Sequence, residues 1–201
     1  MTFYIAGASS FGRETLDAMH AYSPALAEQA VFLDDNPPSL EVDGVAVCGL
    51  DEAEPGEFVV AIANASVRQQ IADRLCRRGL TPGRVIHPRA FVSPRATIGP
   101  ACIIFANTFI STRTVLGAYV AIFHNSSVAH DTVLGDYVTV LPGVNIAGAV
   151  TIGPQVTFGT NSCILQGLRI GAGTMVGAGA AVIRDQPAGV VIAGVPTRVL
   201  S

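Results

Sequence analysis

Two adjacent residues, His130 and Asp131, are the strongest candidates for chemistry in this sequence. An imidazole accepts a proton near neutral pH, and a neighbouring carboxylate can fix its tautomer or raise its basicity. Gly148 follows eighteen residues later. If it lies beside the imidazole, it leaves room for a ligand and exposes a backbone amide. A general base and an oxyanion donor are what acyl transfer requires. Spacing alone also allows a surface turn in which a histidine merely stands beside an aspartate.

Other patterns for nucleophiles or metals are weaker. His124 is either a second polar group in the same groove or a residue of a subunit interface or the solvated surface. Ser126 and Ser127 do not form the G-x-S-x-G turn of a serine nucleophile. The four cysteines are scattered without metal-ligand spacing. We therefore expect direct transfer to an acceptor, with no covalent acyl-enzyme and no metal.

A period of six residues predicts the secondary structure that positions His130. An aliphatic residue or Phe returns at every sixth position in the series Ile86, Val92, Ile98, Ile104, Ile110, Leu116, Ile122, Val128, Leu134, Val140, Ile146, Ile152, Phe158, Ile164, Ile170, Val176 and Val182. This period fits short strands joined by tight turns, each strand sending a large side chain inward. Smaller residues at the fifth position of many hexads complete the core, namely Ala96, Thr108, Thr114, Val120, Thr132, Val138, Val150, Ser162 and Ala180.

Three hexads in each triangular coil would place residues eighteen apart above one another. His130 then occupies a turn, in a column with Thr112, Gly148 and Gln166. Gly, Pro, Asn and Asp between the strands supply the chemistry that tight corners need. The sequence therefore predicts an all-β parallel β-helix over residues 86–201, with about five to six coils.

The first 85 residues predict a different fold. A strand FYIA precedes a helix from Arg13 to Ala21, and the strands VFLDD (Val31 to Asp35) and FVVAIA (Phe58 to Ala63) follow. A second helix begins near Ser66. Strands that alternate with helices indicate a small parallel sheet with βαβ links. Residues 1–85 are thus predicted to be an α/β, Rossmann-like domain.

Candidate binding residues lie at the strand ends of this domain. Gly7, Ser9 and Gly12 do not complete the G-x-G-x-x-G pattern, so nicotinamide chemistry is not expected. The backbone amides of this turn could still meet a phosphate or a polar ring. Asp34 and Asp35 close the second strand, where Rossmann-type sites use an acid to accept hydrogen bonds from sugar hydroxyls. The alternative is a pair of solvated turn carboxylates.

Composition excludes some classes of partner. The chain has 201 residues, of which 50% are hydrophobic and 13% charged, and its formal net charge is -3. This charge favours neither nucleic acid nor an anionic membrane as a partner. No basic leader precedes a sustained apolar stretch, and no run approaches the roughly 18–20 residues of a membrane span. We expect a cytoplasmic protein.

Nearly the whole chain resembles one family. The matching segments are GASSFGRE, FLDD, AIANASVR, HPRA, NSSVAHDTVLGD, PGVNIAGAVTIG and GVPTRVL. They are similar to segments of bacterial sugar acyltransferases of the sialic acid O-acetyltransferase and bacillosamine N-acetyltransferase type. The resemblance implies that the β-helix is left-handed. It also implies a homotrimer that binds acyl-CoA between neighbouring subunits, and we expect acetyl-CoA as the donor.

The resemblance also implies roles for individual residues. The amino-terminal domain would hold a sugar or nucleotide-linked sugar acceptor through Ser9, Ser10, Phe11, Asp34, Asp35 and Ala63. Thr139, Gly148, Thr160 and Ala178 would lie along the CoA and its thioester. His130 and Asp131 would be the catalytic pair. Ser10 and Phe11 replace the Gly-His of many amino-sugar N-acetyltransferases, which favours a different acceptor. Thr139 replaces a histidine of the donor site, so either a hydroxyl serves there or the contact is absent.

The sequence leaves two alternatives open about function and gives one further argument about assembly. The acceptor group is either an amine or a hydroxyl, for example on a sialic acid, a polysaccharide or a glycosylated metabolite. A non-catalytic β-helix scaffold that binds a sugar nucleotide is the alternative from another class. The homotrimer has one independent argument, which is that outward aromatic residues would otherwise lie exposed on a flat wall; they are Phe105, Tyr119, Phe123 and Tyr137.

Overall fold

The computed structural model describes residues 2–37 and 39–200 and begins with a six-stranded sheet. The strand order is β3-β4-β2-β1-β5-β6, and β1 pairs in parallel with both β2 and β5. The strands of this sheet are β1 (Phe3–Ala6), β2 (Ala30–Leu33), β3 (Glu41–Val42), β4 (Val45–Cys48), β5 (Glu57–Val60) and β6 (Thr81–Pro82). The helices are α1 (Ser10–Tyr22), α2 (Pro24–Ala27), α3 (Ala65–Arg77) and a short 3₁₀ turn at Leu50–Glu52. All four residues of the central strand β1 are buried, as expected of a parallel strand covered on both faces.

The predicted strands of this domain exist, but two of them end earlier than expected. Strand β2 ends at Leu33 and β5 ends at Val60, so both predicted acids and Ala63 lie in loops. Helix α3 starts after Asn64, whose side chain accepts hydrogen bonds from the amides of Ser66 and Val67, each at 3.1 Å. This is the usual way in which an asparagine caps a helix.

The sequence analysis did not predict the β3–β4 hairpin. Its turn is Asp43-Gly44, and both residues have positive φ (51° and 79°). An Asp-Gly pair between valines is a strong hairpin signal. The hairpin places β4 beside β2 and extends the sheet on that edge.

The chain leaves this sheet after Pro82 and enters a three-sided parallel β-helix at β7. The domain-facing sheet consists of β7 (Val85–Ile86), β10 (Ile103–Ile104), β13 (Ala121–Ile122), β16 (Thr139–Val140), β19 (Thr157–Phe158), β22 (Met175–Val176), β24 (Val191–Ala193) and the antiparallel β25 (Arg198–Val199). The second sheet consists of β8 (Phe91–Val92), β11 (Phe109–Ile110), β14 (Ser127–Val128), β17 (Asn145–Ile146), β20 (Cys163–Ile164) and β23 (Ala181–Val182). The third sheet consists of β9 (Thr97–Ile98), β12 (Val115–Leu116), β15 (Val133–Leu134), β18 (Thr151–Ile152) and β21 (Arg169–Ile170).

The predicted hexads form the core of this prism. Every large hexad residue from Ile104 to Val182 is buried, and paired strands are eighteen residues apart, as in Ile104 beside Ile122. The smaller inward position tolerates hydroxyl groups because most of them donate to a carbonyl inside the wall; Ser162 Oγ, which is buried, has no partner among the described residues. Thr114 donates to Ala129 O at 3.1 Å, for example. This internal hydrogen bond removes most of the cost of burying a hydroxyl.

The corners repeat one backbone conformation. A residue with positive φ stands at every sixth position, and most of these residues are not glycine. Arg113, Asn125 and Asp131 are examples, with φ between 57° and 59°. The prediction that corners use small or turn-forming residues is therefore only partly right, because the hydrogen-bonded coils hold larger side chains in this conformation. We refer to the corner between the domain-facing and second sheets as the first corner, and to the corner between the second and third sheets as the second corner.

The amino-terminal domain packs on the domain-facing sheet and covers the aromatic residues of that wall. Phe105 and Phe123 join a core cluster with Phe11, and Tyr119 joins a cluster with Phe58. The argument that these rings would lie exposed without a second subunit is wrong for Phe105, Tyr119 and Phe123, which the same chain buries, and Tyr137 is half-buried. Their burial therefore gives no support for a homotrimer.

Within residues 2–37 and 39–200, the helices are all too short or too polar to cross a membrane. The same residues contain no group of three or more His, Cys, Asp or Glu side chains arranged to hold a metal ion.

Candidate active site and substrate-binding cavities

His130 lies at the second corner, two residues after Val128, the last residue of β14, whose side chain points into the core of the prism. Its side chain is 60% exposed, and Nδ1 lies 2.8 Å from Oδ2 of Asp131. A carboxylate accepts hydrogen bonds and cannot donate them when ionised, so the neutral ring carries its proton on Nδ1. This tautomer leaves the lone pair of Nε2 free to accept a proton.

Asp131 is held on its other side by Arg113, which stands at the same corner one coil below. Nε of Arg113 lies 2.6 Å from Oδ1 of Asp131, and the guanidinium also donates to Oδ2 at 3.1 Å. The hydrogen bond from Arg113, and then the contact with His130, lower the pKa of Asp131 from its ordinary value. Arg113 was not among the predicted site residues. Its position eighteen residues before Asp131 could have identified it, because residues at that spacing stack.

Gly148 lies against the imidazole, as the eighteen-residue column predicts. A Cβ atom at this position would come within 2.6 Å of Cε1 and 2.7 Å of Nε2 of His130. Only glycine therefore allows the ring to occupy this place. In the described part of the chain, the Gly148 amide donates no hydrogen bond. It is available to an oxyanion that forms beside the ring.

The residues predicted to bind the acyl donor lie on different faces of one chain. Gly148 shares the second corner with His130, whereas Thr160 and Ala178 lie at the first corner, in the column of His124. Thr139 is fully buried under the amino-terminal domain, and its hydroxyl donates to Ala63 O at 3.2 Å. The prediction that Thr139 lines the donor site does not fit this burial.

Asp34 and Asp35 line a cavity of about 200 Å³ at the loop edge of the amino-terminal sheet. Asp34 accepts hydrogen bonds from the amides of Ala8 (3.1 Å) and Asn36 (2.9 Å). Asp35 accepts from the Leu50 amide at 3.0 Å, and its other oxygen lies 2.6 Å from Arg74. The Leu50 amide, and then Arg74, lower the pKa of Asp35.

These contacts show that the two acids have structural partners, although Asp35 remains exposed to solvent. Each carboxylate holds two segments of the cavity wall together while it faces the cavity. Gly7, Ile62 and Ile71 complete much of the wall. The cavity therefore combines an apolar side with fixed negative groups, which suits a ring that carries hydroxyl or N–H donors.

The other predicted acceptor residues do not all reach this cavity. Ser9 and Ser10 are exposed at the start of α1, and Ala63 is exposed after β5. Phe11 is buried, and its ring lies 4.8 Å from that of Phe123 between centroids. The prediction that Phe11 touches the acceptor was therefore wrong. The ring fills the interface between the amino-terminal domain and the β-helix.

A second contact across this interface was missed by sequence reasoning. Arg68 of α3 is only 1% exposed and has no carboxylate partner in the described residues. It donates to Ile62 O at 2.7 Å, to Tyr137 O at 2.6 Å and to the Thr139 hydroxyl at 2.9 Å. Burial lowers the pKa of Arg68 to about 10. This guanidinium fixes the wall of the acceptor cavity to the β-helix.

The first corner carries a larger cleft of about 340 Å³ between α1 and the β-helix. Glu14 and Asp17 line one side, and His87, Phe105 and His124 line the other. His124 was predicted as a candidate polar group, whereas His87 was not among the candidate residues. Nδ1 of His87 accepts a hydrogen bond from the Arg89 amide at 3.0 Å, and burial followed by the charge of Arg89 lowers its pKa.

Within one chain, His130 faces neither the cavity lined by Asp34 and Asp35 nor the first-corner cleft. His130 stands between the second and third sheets, whereas the amino-terminal domain covers the domain-facing sheet. The two halves of the predicted site therefore lie on different sides of the prism.

Comparison with known proteins places this arrangement in a family. Residues 2–75 match the family described as the PglD N-terminal domain. The structure is similar to the acetyltransferase domain of PglB from Neisseria gonorrhoeae FA1090 in complex with acetyl coenzyme A, with a TM-score of 0.93 and 31% identity over 99% of this chain and 98% of that one. It is also similar to a histidine-to-alanine variant of GDP-perosamine N-acetyl transferase from Caulobacter crescentus in complex with CoA and GDP-perosamine. That TM-score is 0.93, with 28% identity over 100% and 97% of the two chains.

A shorter stretch matches a curated relative. The similarity to 2,3,4,5-tetrahydropyridine-2,6-dicarboxylate N-acetyltransferase from Clostridium perfringens is 50% identity over 42 residues. That alignment spans 21% of this chain and only 18% of the relative. The match to the PglB domain, by contrast, extends over nearly the full length of both chains. The chain therefore belongs to the family of hexapeptide-repeat, left-handed β-helix sugar acetyltransferases that carry a PglD-type amino-terminal domain.

Proposed function

We propose that this protein transfers an acetyl group from acetyl-CoA to an amino group of a sugar or nucleotide-linked sugar, with His130 as the general base. The observation that carries the proposal is the arrangement of His130 between Asp131 and Gly148. Asp131 leaves Nε2 as the proton acceptor, and Gly148 offers an amide beside it. No covalent acyl-enzyme is needed, because base and oxyanion donor stand together.

The proposed reaction has one tetrahedral intermediate. The acceptor amine attacks the thioester carbonyl carbon while Nε2 of His130 takes a proton from its nitrogen. The carbonyl oxygen becomes an oxyanion and accepts a hydrogen bond from the Gly148 amide. Collapse of the intermediate breaks the carbon–sulfur bond, and the imidazolium returns the proton to the departing CoA thiolate. The products are the N-acetylated acceptor and CoA.

Asp131 and Arg113 act as positioning residues in this scheme. The carboxylate holds the productive tautomer of His130 and stabilises the imidazolium that forms during the reaction. Arg113 fixes the carboxylate from the coil below. His124 lies at a different corner, so it is not required as the base.

We also propose a homotrimer, on grounds other than the buried aromatic rings. His130 reaches an acceptor-side cavity only if a second copy supplies that cavity. A three-fold axis parallel to the β-helix keeps every residue at its height, so His130 of the partner subunit stands level with His124. Thr160 and Ala178 would then face the column of Gly148 across the same groove.

Exposed apolar residues support the association of copies through the remaining sheets. Phe91 and Phe109 stack on the second sheet with ring centroids 4.9 Å apart, and both are about half exposed. Val115 and Val133 lie exposed on the third sheet. A contiguous apolar surface of this kind marks an interaction site.

An amino acceptor is favoured over a hydroxyl acceptor by two observations. Glu14 and Asp17 place two carboxylates in the first-corner cleft, and an aliphatic amine is largely cationic near neutral pH. The named relatives also include N-acetyltransferases, one of which is crystallised with GDP-perosamine. We propose that a nucleoside occupies the Asp34 cavity while the amino sugar occupies the cleft.

All four cysteines are unpaired thiols, which fits a reducing cytoplasm, where acetyl-CoA is available.

The test is release of the CoA thiol from acetyl-CoA across a panel of amino sugars, nucleotide-linked amino sugars and sialic acids. We expect release with an amino acceptor and mass addition of one acetyl group on nitrogen. Release only with hydroxyl acceptors would replace the N-acetyl proposal. Silence across the panel, together with an absence of CoA binding by calorimetry, would indicate a scaffold. Light scattering at micromolar concentration tests the trimer separately, and a monodisperse monomer would remove the shared site.

A further inference from the structure

A single buried guanidinium group joins the two domains beside the Asp34 cavity. Arg68 of α3 is only 1% exposed, and it forms no ion pair with a carboxylate in residues 2–37 and 39–200. We propose that Arg68 is a positioning residue for the acceptor, which holds the loop of residues 61–64 in place as one wall of the cavity. This inference rests on the proposed function, in which a nucleotide-linked sugar binds there.

The hydrogen bonds of Arg68 divide between the two domains. Nη1 donates to Ile62 O at 2.7 Å and to Ala63 O at 3.2 Å, both in the amino-terminal domain. Nη2 donates to Tyr137 O at 2.6 Å and to the Thr139 hydroxyl at 2.9 Å, both in the β-helix. The Thr139 hydroxyl in turn donates to Ala63 O at 3.2 Å. Because the guanidinium is planar and rigid, these bonds fix the two backbone segments relative to each other.

The loop that the guanidinium holds forms one wall of the cavity. Residues 61–64 connect β5 to α3, and Ile62 lines the cavity. Ile62 packs on the facing loop, where a Cβ at Gly7 would lie 3.1 Å from Cγ1 of Ile62. Helix α3 carries two further wall residues, Ile71 and Arg74. A shift of this loop and helix would therefore change the shape of the cavity.

A buried cation is a poor choice if its role is only to fill the interface between the domains. Burial lowers the pKa of Arg68 to about 10, so the group remains charged at neutral pH. Its Nε atom has no hydrogen-bond partner in the described part of the chain. Apolar side chains of similar volume often replace buried charged groups without a loss of stability. A guanidinium differs from them because it directs each hydrogen bond, which favours a role in positioning.

A neighbouring contact crosses the same interface without reaching the cavity. Nε2 of Gln155 in the β-helix donates to Oε1 of Gln69 on α3 at 2.6 Å. Neither residue lines the Asp34 cavity. Gln69→Ala therefore removes an interdomain hydrogen bond next to Arg68 but leaves the cavity wall intact, which makes it the matched control.

The experiment measures KM for both substrates with Arg68→Met, which keeps a long side chain but cannot donate hydrogen bonds. The acceptors are GDP-perosamine, with which the Caulobacter crescentus relative is crystallised, and the other nucleotide-linked amino sugars of the panel. Arg68→Met should raise KM for the acceptor roughly tenfold, because a loosened loop must be ordered again on binding. KM for acetyl-CoA should stay unchanged, since the donor is proposed to bind at the corners of the β-helix. Gln69→Ala should change neither constant.

Two further variants separate positioning from packing. Arg68→Lys should give an intermediate KM for the acceptor, because an ammonium keeps the charge but lacks the planar fork that reaches both domains. Thr139→Val removes the hydroxyl between Arg68 and Ala63 and should raise the same KM by a smaller factor. These two variants provide the test if Arg68→Met does not fold.

Hydrogen–deuterium exchange reports on the loop independently of activity. The Ala61 amide donates to Ala6 O at 2.8 Å and is therefore protected in the parent. It should exchange faster in Arg68→Met than in the parent, and at the parent rate in Gln69→Ala.

Two outcomes would overturn the assignment. One is an acceptor KM and an exchange rate of Arg68→Met that match those of Gln69→Ala while the parent transfers acetyl normally, which would refute the role of Arg68 and leave the proposed function intact. The other is an equal rise of both KM values, which would indicate general damage to the fold. If the parent neither binds CoA by calorimetry nor acetylates any acceptor of the panel, both proposals fail.

Discussion

The imidazole of His130 rests on Gly148 so closely that a Cβ at residue 148 would lie 2.6 Å from Cε1. Gly148→Ala should therefore displace the ring and lower kcat by roughly 10²-fold, the cost of a misplacement of about 1 Å. The midpoint of thermal unfolding should change little, because the ring is exposed. Arg77→Ala, at an exposed site at the end of α3, is the control and should retain full turnover. Full activity of Gly148→Ala would show that the ring position is not critical.

Removal of the imidazole tests the base directly. His130→Ala should keep CoA affinity and assembly but lower kcat by roughly 10²–10⁴-fold. His130→Asn should fail similarly, because an amide cannot accept a proton near neutral pH. His20→Ala, which removes an exposed histidine of α1, serves as the matched histidine control in steady-state kinetics. A folded His130→Ala protein with nearly full turnover would defeat the assignment, and His124 would become the next candidate.

The two positioning residues should show graded effects. Asp131→Asn should lower kcat less than His130→Ala, because the base remains. Arg113→Ala should lower kcat only about two- to fivefold, the range of an exposed ion pair. Without Arg113, the pKa of Asp131 should rise toward its ordinary value, at which the carboxylate is still ionised at pH 7. Kinetics of Arg113→Ala at pH 7 therefore report only the orientation of Asp131 and not its charge. A larger effect of Arg113→Ala than of Asp131→Asn would contradict this order.

The pH dependence of the Asp131 contacts has a definite sign. The pKa of Asp131 is lower in the folded protein than its ordinary value, so its ion pair stabilises the fold above that ordinary value. This contribution is lost as the pH falls through the folded-state pKa. The difference in unfolding midpoint between the parent and Arg113→Ala should therefore be greatest near neutral pH and disappear in acid. A difference that persists in acid would show that Arg113 stabilises the protein by packing.

Replacement of the loop acids tests the acceptor cavity. Asp34→Asn combined with Asp35→Asn should raise KM for the acceptor at least tenfold, because each loses a charged hydrogen-bond acceptor worth about 1.5–3 kcal/mol. KM for acetyl-CoA should change much less, because the donor is proposed to bind at the corners of the β-helix. Asp43→Asn, an exposed acid paired with Arg13, is the control. Equal changes in the two KM values would remove the acids from the acceptor site.

The interface aromatic cluster makes a stability prediction. Phe11→Ala should lower the free energy of unfolding by about 3–5 kcal/mol, because it leaves a cavity between the rings of Phe105 and Phe123. Chemical denaturation measures this change, and Tyr22→Ala, an exposed ring at the end of α1, is the matched control. A loss below 1 kcal/mol would mean that the interface repacks around the missing ring.

The periodic part of the fold was predictable because one constraint repeats. Each inward hexad residue must be apolar, so the series around Ile122 and Val128 fixed the β-helix, and the column of His130 and Gly148 followed from its geometry. The contact between His130 and Gly148 could thus be predicted from the sequence.

Contacts between the two domains could not be derived in the same way. Phe11 and Phe123 are 112 positions apart in the chain, and no repeat relates the two domains. Arg68 carries no local signal of its burial, because its partners are mainly carbonyl oxygens whose positions depend on the docking of α3. Outward aromatic residues therefore seemed free for another subunit, although the same chain covers them.

The shared clusters of the two domains determine how the chain should unfold. Phe3, Ile5 and Phe11 lie in one cluster with Ile103 and Phe123, so part of the apolar surface of each domain is buried only by the other. Local opening of the amino-terminal sheet would also expose the apolar residues on the domain-facing sheet of the β-helix. The chain should therefore lose both domains in a single cooperative transition, and either segment expressed by itself should be aggregation-prone.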